Sequence, residues 1–197
     1  LLLLVTGTPG TGKTSVGRLI AEETGCRFVE SSLLLEALGA TSRDPTGRAT
    51  LVVEWSAAVD RLRSLDMGCW VVSTVTPSLW LEAVGLEVAL AVLLRTNPIV
   101  LEERLKGRGW PEGKVVENVL AEAFGEIGWE LVEQGFEAST IEVDTSTRSP
   151  REVVDEVFDK VERWDTGVRI DWLDSVEVAR RVAELLGRDY LGEYRVS

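Results

Sequence analysis

The chain opens on "LLLLV" (residues 1–5) and then reads "GTPGTGKTS" over residues 7–15. A short apolar run followed at once by glycines, a proline and a single lysine predicts a buried strand, a tight turn and a helix. The spacing Gly7-x-x-x-x-Gly12-Lys13-Thr14 fills every position of the phosphate-binding loop pattern. Glycines let main-chain N–H groups curl round an anion with no Cβ in the way. The helix that follows points its positive end at the same place. In this pattern Lys13 reaches the β- and γ-phosphates of a nucleoside triphosphate, and the Thr14 hydroxyl ligates Mg²⁺. A glycine-rich turn that binds nothing is the competing reading, and it leaves the lysine and threonine at their motif positions without a reason.

Outward from this loop, strand-like and helix-like periods alternate. "TSVGRLIAEETG" predicts a helix closed by Gly25, "CRFVE" a short strand, and "SSLLLEAL" a helix with a serine cap. "GATSRDPTGR" is a loop, and "ATLVVEWSAAVDRLRSL" reads as helix with "LVV" able to extend locally. "CWVVSTV" and "LEVALAVLL" are buried strands, separated by a helix opened by Pro77. Asn97 and Pro98 open the next helix, a long amphipathic helix is expected from about Lys114 to Gln134, and "STIEVD" is a fifth strand. Ser149 and Pro150 open a closing helix. The alternation predicts an α/β fold, a five-stranded parallel sheet with helices on both faces, with ligands at the carboxyl ends of the strands. From Asp165 onward the alternation stops. There "SVEVARRVAELL" predicts one more amphipathic helix, with Val178, Val182, Leu185 and Leu186 on the stripe that packs back on the body.

The 197 residues suit one compact domain with a small excursion or tail. No run approaches the length of a membrane span, and "LLLLV" is too short for the apolar part of a signal peptide. These features predict a cytoplasmic protein without a membrane partner; the opening on Leu1 is read as a few residues trimmed. The net charge of −12 disfavours direct non-specific binding to nucleic acid and suits a basic protein partner. Histidine is absent, which removes the usual general base and the commonest transition-metal ligand. Seventeen arginines against four lysines lean towards a hot environment. Cys26 and Cys69 have no metal-ligand spacing and read as small buried residues.

The second informative stretch is "LRTNPIVLEERLKGRGWPEGKVVENVLAE", residues 94–122. Arg95 is expected to end its strand facing the phosphate loop. Arg104 and Arg108 lie four apart, on one helix face running into Gly107 and Gly109. Guanidiniums gathered at a triphosphate neutralise charge on the transferred phosphoryl group. By periodicity alone, ion pairing with Glu102 or Glu103 on a solvated face accounts for them equally well.

Taken together, "TGTPGTGKTS", "LRTNP…LEERLKGRGW…KVVENVLAE" and "DTSTRSP" (residues 144–150) resemble the atypical adenylate kinases of archaea and the eukaryotic nucleus, a family also described as ribosome-assembly ATPases. The likeness covers roughly residues 1–164, leaving 165–197 as a tail. It implies a P-loop nucleotide kinase domain with a nucleoside-monophosphate-binding excursion at about Ser31 to Glu54 and a short lid at about Gly107 to Lys114. It implies Mg·ATP held by Gly10, Gly12, Lys13, Thr14 and Ser15 with Arg108 from the lid, and an adenine-side loop from Thr145 to Arg148. Arg43 or Arg48 in the excursion would hold the acceptor phosphate, with Lys13, Arg104 and Arg108 as the catalytic cations. The implied activity is phosphoryl transfer from ATP to AMP or a related monophosphate. The alternatives are an ATP-switched assembly factor that hydrolyses ATP beside a basic small-subunit ribosomal protein, and a kinase of another small metabolite. The family's sheet also makes the strands opened by Cys26 and Cys69 neighbours, which would bring the two within disulfide range. One departure stands out. Where relatives carry an acid and, two residues on, a histidine, this chain has Ser73 and Val75, which predicts slower transfer with nucleotide binding intact.

Overall fold

A computed structural model describes residues 1–43 and 51–187. Its elements run β1 (Leu2–Thr6), α1 (Lys13–Thr24), β2 (Arg27–Glu30), α2 (Ser31–Ala37), β3 (Thr41–Arg43), β4 (Leu51–Val53), α3 (Trp55–Arg63), β5 (Trp70–Thr74) and α4 (Pro77–Val84). They continue with β6 (Val88–Arg95), α5 (Pro98–Gly107), α6 (Glu112–Ala123), α7 (Glu126–Glu133), β7 (Thr140–Asp144), α8 (Pro150–Arg163) and α9 (Val176–Gly187). Five strands form a parallel sheet in the order β2-β5-β1-β6-β7, as the alternation of strand and helix predicts.

Both faces of the sheet are buried, which is why its strands read as unbroken apolar runs. One face packs Leu35 of α2, Val59 and Leu62 of α3, Leu79 and Trp80 of α4, and Leu131 of α7 against Leu2, Leu4, Val72 and Leu93. The other packs Val16 and Ile20 of α1 and Val153, Val154 and Val157 of α8 against Val5, Val71, Val92, Leu94, Ile141 and Val143. The caps behave as their residue types dictate. Asn97 accepts from the Ile99 N–H, Ser149 forms a capping box with Glu152, and Gly25 ends α1 in the left-handed conformation.

Local expectations fail in three places, and one segment takes the alternative left open for it. "LVV" is strand β4, paired antiparallel with β3, because β-branched Val52 and Val53 have a partner strand there and helix begins only at Trp55. Ser31 does not cap α2; its hydroxyl accepts instead from Nε1 of Trp80, a wholly buried ring whose N–H needs a partner. The single helix expected over 114–134 is two, α6 and α7, broken at Gly125 with φ 67°. Leu186 is exposed, so the buried stripe of α9 is Val178, Val182 and Leu185. That helix packs back on the body, against α5 and α6. Cys26 and Cys69 form a disulfide with their α-carbons 4.9 Å apart, tying the residues that immediately precede the adjacent strands β2 and β5.

Candidate functional site

The loop after β1 is held by three neighbours before any ligand is considered. The Thr8 hydroxyl donates to Glu122 Oε2 of α6 at 2.6 Å. The Thr145 hydroxyl, after β7, donates to the Thr11 carbonyl at 3.0 Å. Gly7 runs so close to β6 that a Cβ there would strike the Leu94 carbonyl, at a φ of 142° that L side chains rarely adopt. Gly12 differs: a Cβ there would meet nothing within 4 Å, because it faces the open cradle.

Lys13 spans this cradle, its Nζ donating to the carbonyls of Gly7 at 2.8 Å and Thr8 at 3.0 Å. Burial pushes its pKa down to about 8, against the opposing pull of the Glu30 and Glu122 carboxylates, while the Arg108 charge adds to the lowering. The ammonium is thus under-compensated, which suits it to a polyanion. Thr14 and Ser15 are exposed on the first turn of α1. Thr14 Oγ1 donates to Glu30 Oε1 at 2.7 Å.

A cavity of about 170 Å³ joins Gly10, Gly12 and Ser15 to Arg104, Arg108 and Arg148. Arg104, on α5, reaches the carbonyls of Thr145 at 2.7 Å and Ser146 at 2.9 Å. Burial and the nearby Arg108 lower its pKa, partly countered by Asp144. Arg108, at the end of α5, is exposed, and its guanidinium makes no hydrogen bond or ion pair among the described residues. Ion pairing within the α5 surface therefore does not account for either. Glu102 is taken by Lys106 and by Arg181 of α9. Arg148 turns to Glu156 of α8.

Arg95 overturns its expectation. It does not face the phosphate loop: it is 2 % exposed on the opposite face of β6, with Nε 2.9 Å from Glu122 and Nη1 2.9 Å from Glu142. Strand alternation explains the direction, because Leu94 packs on the α1 side and its neighbour must point away. In the excursion, the backbone of Arg43 ends β3, and Arg48 lies outside the described residues. Glu30, Thr8 and Glu122 went unassigned in the sequence. Glu30 gives a local signal, a carboxylate at the carboxyl end of a strand; Glu122 gives none without the fold.

The donors present fit Mg²⁺. The Thr14 hydroxyl and Glu30 carboxylate are hard oxygens, and the hydroxyl donates its hydrogen bond to Glu30, leaving the Thr14 lone pairs for a cation. Among the described residues no cluster of three or more acidic, histidine or cysteine side chains forms a cage. An ion here would be shared between one or two protein oxygens, phosphates and water, the usual arrangement for magnesium with nucleotides. Among the described residues no helix is long and apolar enough to cross a membrane.

Comparison with known proteins agrees with this geometry. The model of the family described as "AAA domain" matches residues 3–125. A Saccharolobus islandicus protein named "Putative adenylate kinase" is 32% identical over 186 residues, covering 94% of each chain. A Thermococcus kodakarensis protein of the same name is 34% identical over 183 residues, 87% of this chain and 93% of its own. Among solved structures, shikimate kinase from Acinetobacter baumannii superimposes with a TM-score of 0.57 at 19% identity, over 82% of this chain and 93% of that one, a likeness of fold alone. With the phosphate loop, the sheet order and these relatives in agreement, the chain belongs to the archaeal adenylate kinase family, built on an AAA-type P-loop domain.

Proposed function

We propose that the protein transfers the γ-phosphoryl group of Mg·ATP to a nucleoside monophosphate, AMP or a close relative. The observation that carries this reading is the cavity in which Arg108, its guanidinium unpaired among the described residues, and a carbonyl-anchored Arg104 face the glycine loop, beside a Lys13 under-compensated by its neighbours. Three cations round one polyanion-sized cradle stabilise charge that moves between oxygens during in-line transfer. An oxygen of the acceptor phosphate bonds to the γ-phosphorus as the bond to the bridging oxygen breaks, and ADP leaves. No covalent enzyme intermediate is needed, since positioning supplies most of the acceleration.

In this reading Gly10, Gly12 and Ser15 hold the phosphates, Lys13 neutralises the β- and γ-oxygens, and Thr14 holds Mg²⁺. Bound magnesium supplies further charge neutralisation on those oxygens. Residues 1–164 are the kinase domain, with a monophosphate-binding excursion at about 31–54 that includes the β3–β4 hairpin, a lid at about 107–114 carrying Arg108, and a tail from 165. Arg43 or Arg48 holds the acceptor, and the Thr145–Arg148 loop meets the adenine. The net charge of −12 and the uncharged Ser73 favour a second reading, an ATP-hydrolysing assembly factor in the cytoplasm whose partner is a basic small-subunit ribosomal protein.

Product analysis with labelled ATP separates these: ADP formed from added AMP supports the kinase, free phosphate the hydrolase, and a new phosphorylated metabolite another acceptor. Lys13→Ala should weaken Mg·ATP binding about 100-fold or more with an unchanged circular dichroism spectrum. Parent affinity for ATP should also fall as pH rises through about 8, because the free amine then loses the proton that phosphate binding requires. Near-normal ATP affinity in a folded Lys13→Ala would remove the assignment.

A further inference from the structure

The geometry points to Glu30 as the residue that positions the metal ion of the bound nucleotide, in place of the acid that position 73 lacks. This rests on the phosphoryl-transfer reading and adds to it a residue that the phosphate-loop pattern does not contain.

Sheet order makes the substitution possible. β2 lies beside β5, and Glu30 is the register partner of Ser73, about 4.8 Å away across the parallel ladder. Alternation fixes the face. Phe28 on β2 and Val71 on β5 pack with α1, whereas Val29 and Val72 pack on the other side. Two residues on from Phe28 and Val71, Glu30 and Ser73 therefore share the α1 face, the one that carries the phosphate-loop helix. A carboxylate thus stands on that face at the same height as position 73, one strand further out.

The side chain is committed in the same direction. Glu30 begins α2 as its N-terminal cap residue, yet its carboxylate makes no capping bond there. It crosses to α1 and accepts a hydrogen bond from the Thr14 hydroxyl at 2.7 Å. Its charge is also felt by Lys13. A hydroxyl that donates to a carboxylate presents its lone pairs elsewhere, as a cation ligand must. Ser73, 3 % exposed between Val5 and Glu30, has no charge to offer.

Glu30→Gln is the test, since glutamine keeps the shape and the acceptor oxygen for Thr14 and removes only the charge. ATP affinity is measured by calorimetry across a magnesium titration, and Mn²⁺ bound with ADP is followed by electron paramagnetic resonance. The parent should bind ATP more tightly as magnesium is added. In Glu30→Gln that enhancement should fall about tenfold, with magnesium-free ATP affinity unchanged or improved by the loss of a like charge. Adding Ser73→Asp to Glu30→Gln should restore it, a rescue that a merely structural role would not show. If Glu30→Gln folds poorly, Glu30→Asp keeps the charge with a shorter reach and should give a partial loss. A parent-like magnesium dependence in Glu30→Gln overturns the inference while leaving the kinase reading standing. A parent that binds no ATP at any magnesium concentration overturns the kinase reading itself.

Discussion

Arg95 and Arg108 flank the same helix, α5, and do opposite things. Arg95 is enclosed: two carboxylates, the carbonyls of Glu122 and Ile170 and the face of Trp172 at 5.9 Å take up its guanidinium. Arg108 is exposed and pairs with nothing among the described residues. An arginine at the carboxyl edge of a phosphate-binding sheet is therefore no indicator of a phosphate ligand. The indicator is charge left uncompensated towards a cavity, because a guanidinium already saturated by carboxylates offers little to an incoming anion.

The enclosed cluster also reaches further than its burial suggests. Glu122 accepts from Arg95 Nε, the Thr96 N–H and Trp172 Nε1 on one oxygen and from Thr8 on the other. One carboxylate thus ties the phosphate loop, the end of β6 and the segment after α8. Arg95→Met removes the central cation and strands Glu122 and Glu142 in the interior. The expected loss is about 3–5 kcal/mol of folding stability, read from urea unfolding. A loss under about 1 kcal/mol would mean that water compensates the two acids and that the cluster is not closed.

Arg108→Ala is the opposite experiment. With no side-chain partner among the described residues to abandon, the variant should unfold within about 0.5 kcal/mol of the parent. Its cost should appear in turnover, a fall of about 100-fold in kcat, or ~2.7 kcal/mol of transition-state stabilisation, measured with AMP as acceptor. If stability falls and turnover does not, the contrast between the two arginines is inverted.

The parts of this arrangement that follow local rules were legible in the sequence. The phosphate loop, the five-strand alternation and the caps at Asn97 and Ser149 each depend on residues close in the chain. What the sequence did not show depends on which strands become neighbours. Arg95 could be placed at a strand end, but its face is decided by Leu94 packing beneath α1 and α8. Glu30 acquires meaning only once β2 lies against β5 and α1 brings Thr14 over it. The break at Gly125 hid inside an amphipathic period that continues on both sides, and the Cβ position of that glycine lies 3.5 Å from Arg95 Nη2. The interior arginine and the helix break therefore belong to one packing problem.

A third charged site lies between the two extremes and gives the smallest expected effect. Glu102, on the far side of α5 from the cavity, is gripped by Arg181 of α9 through two bonds of 2.8 and 2.5 Å and by Lys106 at 2.7 Å. These partners, Arg181 first, hold its pKa at about 2 against an ordinary value of 4.5, although burial pushes the other way. The folded-state value is depressed, so the stabilisation is fully present above about pH 4.5 and is lost as pH falls towards 2. Lys106 is half exposed, so screening reduces the gain to about 1–2 kcal/mol. Glu102→Gln should therefore be less stable than the parent by that amount at pH 7, and the gap should narrow as both proteins are unfolded at successively lower pH towards 2. The variant should also loosen α9 from α5 and expose the Leu185 contact, seen as faster amide exchange in residues 176–187. A gap of the same size at pH 7 and near pH 2 would mean that the carboxylate contributes through packing and not through charge, and α9 would then be held by Val178, Val182 and Leu185 alone.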